Sequence, residues 1–200
     1  MKPEDIAKAY NQITHIWTDG KFDMSNGIAQ HKKAISFVNE RGRALDVGCG
    51  CTCRFIELLA REGFTPSGLD ISPKMLSIAR EKLPGVQFFQ EDICECDLTE
   101  KYDFITAWDS IWHIPLSQQK PVLCKIVASL NPGGVFIFSF GGTDEEGCHR
   151  DDFMGPEVYY SSLGLNGFLT LFMELGCIIR HLEFDQYPQL HSYLIVEKGK

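Results

Sequence analysis

Gly48 and Gly50 stand one residue apart in Asp46-Val47-Gly48-Cys49-Gly50, directly after the apolar or β-favouring run Ala44, Leu45 and Val47. Glycine permits a sharp backbone turn and leaves bare main chain for a ligand to lie against, while the free N–H groups opening the next helix face whatever is bound. Asp70 follows about 20 residues later, where a strand-end carboxylate accepts hydrogen bonds from both hydroxyls of an unphosphorylated ribose. Asp109 and His113 form a second chemically capable pair. Histidine titrates near neutrality and takes a proton from a hydroxyl or amine, so His113 is the leading general-base candidate, with an orienting role as its alternative.

These residues need a scaffold, and the pattern around them supplies one. Phe55, Ile56, Leu58 and Leu59 begin a helical repeat directly after the glycines, giving strand, turn and helix. A second strand is expected over 67–71. Ser72 then caps a helix with Pro73 at its first position and Met75, Leu76, Ala79 and Leu83 on its buried face. A third strand over 86–90 leads to Glu91, Asp92 and Ile93, and a fourth over 102–108 leads to Asp109 and His113. In an open α/β sheet, ligands sit beyond the carboxyl ends of the strands where the winding reverses, here between the first and fourth strands. Asp109 and His113 fall at that point.

The rest of the chain frames this centre. Ile6, Ala9, Tyr10, Ile13 and Trp17 share one helical face, predicting a helix over 3–17, and 28–40 reads as another. A helix over 117–130, with Pro121 in its first turn, stops at Asn131-Pro132-Gly133-Gly134 before a buried fifth strand over 135–140. Residues 141–160 are polar, turn-rich and too long for a plain connection, which favours a functional loop or lid; a disordered excursion is the rival. As a lid it would present His149, Arg150, Tyr159 and Tyr160 to a substrate. After a helix through Phe168 and Phe172 come two strands over 177–184 and 191–197, joined so closely that they must be antiparallel.

At 200 residues, 44% of them hydrophobic and 23% charged, the chain suits one globular domain. No apolar stretch approaches a membrane span and the N-terminus lacks the core of a secretory signal, so a cytoplasmic protein with no membrane partner is expected. A net charge of −8 leaves no field to attract phosphate backbones, which argues against nucleic acid and for a cationic, neutral or small metabolite. The eight cysteines include no C-x-x-C pair, so no metal is assigned. The pairs Cys49/Cys51 and Cys94/Cys96 could hold a soft metal or metalloid, but small buried thiols are the commoner use.

With the glycine turn at 46–52, Asp70, Glu91-Asp92-Ile93, YDFITAWD at 102–109 and LNPGG at 130–134, the chain resembles the class I S-adenosylmethionine-dependent methyltransferases of the small-molecule kind, closely over 43–140. The resemblance implies a Rossmann-like three-layer α/β/α sandwich with a mostly parallel seven-stranded sheet and one antiparallel strand near the C-terminus. It divides a single domain into an N-terminal helical cap (1–41), a cofactor-binding core (42–140), a substrate lid (141–160) and a C-terminal helix with a β-hairpin (161–200). It implies S-adenosyl-L-methionine as cofactor, S-adenosyl-L-homocysteine as product and a small-molecule methyl acceptor, in a monomer or homodimer. Asp46, Gly48, Cys49, Gly50, Asp70, Ile71, Met75, Asp92, Ile93 and Trp108 would hold the cofactor, with Asp92 on the adenine amino group and Ile71 and Ile93 sandwiching the ring. Tyr10 and Trp17 join the substrate candidates, because the family's N-terminal segment commonly covers the site. Thr52 departs from the family's D-x-G-x-G-x-G, where a third small residue is usual. The dinucleotide pattern G-x-G-x-x-G would need glycine where Cys53 stands, which disfavours a nicotinamide oxidoreductase; a non-catalytic cofactor-binding subunit is the other alternative.

Overall fold

The computed structural model describes residues 1–199. The chain begins with α1 (Pro3–Gln12), a 3₁₀ turn (Thr14–Trp17) and α2 (Ile28–Ile35), then enters β1 (Arg43–Val47). Next come α3 (Arg54–Arg61), β2 (Thr65–Asp70), α4 (Pro73–Lys82), β3 (Gln87–Gln90) and β4 (Tyr102–Ala107). A 3₁₀ turn (Ile111–His113), α5 (Leu116–Ser129), β5 (Leu130–Gly141), β6 (Gly147–Asp151) and β7 (Val158–Ser162) follow. The chain closes with α6 (Leu165–Glu174), β8 (Cys177–Glu183) and β9 (His191–Lys198).

Seven strands form one sheet in the order β3-β2-β1-β4-β5-β9-β8. The pairs among β1 to β5 are parallel, whereas β9 runs antiparallel to both β5 and β8. This is the expected Rossmann-like sheet with a reversed strand near the end. Strand periodicity divides the core. Leu45, Ile105, Phe136, Phe138, Leu194 and Val196 face one side with α5 and α6, while their neighbours Ala44, Phe104, Val135, Ile137 and Ile195 face the other with α2 and α3. Three layers result, with the strand ends left open for a site.

Local chemistry fixes the joints. Ser72 caps α4, its Oγ accepting from the Met75 N–H at 3.1 Å. The helices predicted over 3–17 and 28–40 are shorter than their apolar stripes suggest. The first breaks at Ile13 into a 3₁₀ turn, and the second stops at Ile35 although Val38 remains buried. Pro121 lies inside α5, not in its first turn. The segment 131–134 is absorbed as an irregularity at the start of β5, where the register against β4 shifts. The largest revision concerns 141–160. Part of it is an ordered antiparallel hairpin, β6 against β7, which extends past residue 160. Its β6 strand is almost wholly exposed, so no alternation of apolar residues announced it. Among the described residues no helix is long and apolar enough to cross a membrane.

Candidate active site

At the carboxyl ends of β1, β2, β3 and β4 the structure opens a cavity of about 680 Å³. Small-molecule sites typically span about 300–1,000 Å³. One wall is the turn after β1. Gly48 and Gly50 adopt φ values of 71° and 57°, the left-handed region that glycine enters freely. Cys53, at φ 62°, takes a left-handed conformation too, although it is not glycine. Asp70 holds this turn: its Oδ2 accepts from the Gly50 N–H and its Oδ1 from the Ser72 N–H, both at 2.8 Å. Burial raises the Asp70 carboxyl above the usual range, opposed by these backbone donors. Ile71, Met75, Asp92 and Ile93 continue the same wall, with Asp92 Oδ1 accepting from the Cys94 N–H at 2.8 Å.

Two of the residues expected at the cofactor stand differently. Asp46 is buried behind the turn and does not line the cavity; burial pushes its carboxyl up to about 7. Trp108 lines the cavity but is 3% exposed, packed between Phe55 and the rings of β9. Arg54, which sequence reasoning passed over, is the single Lys or Arg side chain on the cavity wall among the described residues. Its Nε donates to the Asn26 carbonyl at 3.1 Å and one terminal nitrogen to Thr52 Oγ1 at 2.9 Å, with the guanidinium over the Phe22 and Phe55 rings.

The opposite wall is aromatic. Tyr10 stacks on Trp17 with ring centroids 5.5 Å apart, and Trp112 and Tyr160 face the same space. His113 is brought here as predicted, but its nitrogens are engaged. Nδ1–H donates to the Tyr159 carbonyl at 2.8 Å, leaving Nε2 to accept from the Tyr10 hydroxyl at 2.6 Å and from the Trp112 indole N–H at 3.0 Å. Burial pushes His113 down to about 4, so it stays neutral at physiological pH. Of the hairpin residues, Tyr160 reaches the cavity, whereas the Tyr159 hydroxyl accepts from the Leu116 N–H. His149 stacks on the outer face of Tyr160 at 5.0 Å and lines an adjoining cavity of about 500 Å³, and Arg150 pairs with Glu157 in solvent. Phe153 and Met154, between β6 and β7, do reach the main cavity.

Asp109 has one partner from the far end of the chain, and that partner has a second carboxylate behind it. Its Oδ1 lies 3.0 Å from His191 Nε2, and His191 Nδ1 lies 2.5 Å from Asp185 Oδ1. Burial pulls the imidazole down, yet the hydrogen bonds and charges of Asp109 and Asp185 outweigh it and raise His191. The imidazole thus bridges two carboxylates at the cavity wall, each of its nitrogens facing an oxygen that accepts. The sequence signal was present as Asp185-Gln186-Tyr187-Pro188 followed by His191, but it reads there as an ordinary strand connection. Among the described residues no group of three or more His, Cys, Asp or Glu could hold a metal ion. Burial also pushes the Cys53 thiol up to about 11 and the Cys94 thiol up to about 12.

The buried histidines set a pH dependence. His31, held between the Gly27 carbonyl and Thr106 Oγ1 and stacked on Phe55, is pushed down to about 3 by burial. Below about pH 6.5 the unfolded chain takes up protons that folded His31 and His113 refuse, so their stabilisation is full above that pH and is lost as pH falls toward the folded values. Asp46 acts oppositely, losing stabilisation as pH rises toward 7. Raised His191 does likewise above its unfolded value. The expected result is a Tm maximum near neutrality with Tm falling as pH drops below 6, Asp70, raised like Asp46, softening the fall. A thermal-melt series that stays flat from pH 5 to 7 refutes this balance.

A mostly parallel sheet with one reversed strand, carrying a glycine turn after β1 and acids after β2 and β3, defines the class I methyltransferase fold. A family model described as a methyltransferase domain matches residues 44–134. A putative methyltransferase of a Geobacillus species is 33% identical over 149 residues, covering 72% of this chain and 59% of that protein. A ubiquinone biosynthesis O-methyltransferase of Klebsiella pneumoniae is 34% identical over 149 residues, covering 68% and 59%. Among solved structures, an S-adenosylmethionine-dependent methyltransferase of Clostridium acetobutylicum superposes with a TM-score of 0.71 at 18% identity, covering 96% of this chain and all of the other. A SAM-bound amino pentose methyltransferase from Micromonospora echinaspora gives 0.70 at 19% identity, covering 90% and 93%. The chain carries a methyltransferase domain over 44–134 and has the class I methyltransferase fold. It spans about 59% of the length of the curated relatives it matches.

Proposed function

We propose that this protein transfers the methyl group of S-adenosylmethionine to a small molecule and releases S-adenosylhomocysteine. One observation carries the reading: the glycine turn, Asp70 and Asp92 share a single cavity with Asp109, His113 and an aromatic wall. The residues fit the cofactor. Nothing lies within 4 Å of a Cβ built on Gly50, so the bare backbone there offers a cradle. Gly48, Cys49 and Gly50 would hold the amino-acid portion, Asp70 the ribose hydroxyls, Asp92 the adenine amino group, and Ile71, Met75 and Ile93 the ring, with Arg54 the cation for the carboxylate. Asp46 supports the turn from behind, and Trp108 closes the floor.

When bound, the sulfonium supplies an electrophilic methyl group. The protein's own task is to hold acceptor and methyl in line and to exclude water, and positioning of that kind supplies up to about 7–11 kcal/mol. His113 orients: with Nε2 filled by Tyr10 and Trp112, it fixes two aromatic walls of the acceptor space. The N-terminal cap (1–41) and the β6–β7 hairpin cover the core (42–140), Phe153 and Met154 forming the rim.

Calorimetric titration with S-adenosylhomocysteine and, separately, NADH tests the cofactor. Saturable binding of the first alone is expected; saturable binding of NADH alone replaces the reading with a nicotinamide enzyme. Methyl-labelled cofactor incubated with a metabolite pool then separates an enzyme from a non-catalytic binder.

A further inference from the structure

We propose that the methyl acceptor is a small amine, seated by its nitrogen on the free oxygen of Asp109, with His191 and Asp185 holding that carboxylate in place. This deepens the methyltransferase reading and rests on it.

The cavity's charges point to a nitrogen. Asp70, Glu91, Asp92 and Asp109 line it against Arg54 and His191. Arg54 is committed beside the glycine turn, bonded to Asn26 and Thr52 and covered by Phe22 and Phe55. Asp109, within reach of the Arg54 charge, and His191 line the same cavity with Ser110, Gln186 and the rings of Tyr10, Trp112 and Tyr160. Aromatic faces with a carboxylate attract an ammonium and repel an anionic acceptor.

The hydrogen bonds say which atom meets the acceptor. Asp109 Oδ1 takes the Ser139 hydroxyl at 3.2 Å and lies 3.0 Å from His191 Nε2, while among the described residues none hydrogen-bonds Oδ2. The Asp109 backbone, at φ 52°, is in the left-handed region that Asp tolerates better than most residues, and its N–H donates to Ser139 Oγ at 2.7 Å. Both His191 nitrogens are occupied, each lying against a carboxylate oxygen. Its side chain is 9% exposed and that of Asp185 is 6%, against 33% for Asp109. Two buried groups therefore brace one accessible carboxylate, and the Trp108 and Trp112 rings flank the imidazole at 5.5 and 5.6 Å.

The chemistry discriminates between acceptors. An alcohol must lose its proton to a strong base as it attacks; His113 has no free nitrogen, and a carboxylate already engaged by Ser139 and His191 is a weak base. An amine needs none. The ammonium held on Asp109 Oδ2 first gives one proton to water, and the neutral nitrogen then forms the N–C bond with its lone pair. The C–S bond breaks with its electrons remaining on sulfur, which becomes a neutral thioether. The positive charge passes from sulfur to nitrogen, where Asp109 Oδ2 stabilises it, and the methylammonium later gives a proton to water. Asp109 is thus the catalytic residue, and His191 and Asp185 are positioning residues.

The test uses the full chain saturated with S-adenosylhomocysteine and three probes on one skeleton: benzylamine, benzyl alcohol and benzoate. Benzylamine is expected to bind about tenfold or more tightly than the other two. Asp109→Asn, which tolerates the same backbone, removes that preference while leaving S-adenosylhomocysteine affinity within about threefold. His191→Gln and Asp185→Asn shrink the amine-to-alcohol ratio, whereas a merely structural role would weaken both probes alike. With methyl-labelled cofactor, label is expected in amines and Asp109→Asn lowers its transfer about 100-fold. No amine preference in the wild-type protein, including no binding of any probe, overturns the proposal, as does label in the alcohol alone. If S-adenosylhomocysteine itself fails to bind, the cofactor reading falls instead.

Discussion

Asp70→Ala is expected to lower affinity for S-adenosylhomocysteine by about 30- to 1,000-fold, a loss of about 2–4 kcal/mol. The carboxylate is 9% exposed and is asked to do two things. Its oxygens already accept from the Gly50 and Ser72 N–H groups, and the same oxygens would take the ribose hydroxyls through their remaining lone pairs. Alanine removes the ribose contacts and also orphans two backbone donors, so the glycine turn loosens where the ligand should lie. Asp70→Asn keeps one acceptor oxygen and should fall between the two. Calorimetry with a parallel thermal melt checks this. Unchanged affinity in a folded Asp70→Ala protein would remove the residue from the site.

What the sequence disclosed and what it hid follow from the range of each interaction. The strand, turn and helix around Gly48 are local, as are the Ser72 cap and the strand-end acids, and the structure places all of them at the carboxyl ends of the strands. The reversed β9 was legible because so short a connection between strands leaves no room for a crossover. By contrast, Asp109 is paired with His191 across 82 positions of sequence, and no periodicity carries that information. His113 was read from its residue type, which favours titration near neutrality. Its environment is set by Tyr10 and Tyr159, distant in sequence, and that environment leaves it neutral and occupied. The β6 strand escaped for a different reason: exposed on almost every residue, it has no buried face to advertise. Cys53 shows the limit of motif reading, since its backbone is glycine-like although the residue is not.

The two glycines of the turn should fail in different ways when each is replaced by alanine. A Cβ on Gly48 would collide with Ser110, standing 2.8 Å from its Oγ, and the φ of 71° is costly for any side chain. Ser110 has little freedom to yield, because its hydroxyl donates to the Val47 carbonyl at 2.8 Å. Gly48→Ala should therefore cost about 2–5 kcal/mol of stability, strain and overpacking together. Gly50 has a similar φ, 57°, but a methyl group there would meet no neighbour within 4 Å, so Gly50→Ala should cost only about 1–2 kcal/mol. The space that spares its stability is the space assigned to the cofactor, and filling it should weaken S-adenosylhomocysteine binding by about tenfold or more. Melting and calorimetry on the pair separate the two roles. If Gly50→Ala binds with wild-type affinity, the ligand does not lie against that backbone, and the cradle must be sought further along the cavity toward Asp92.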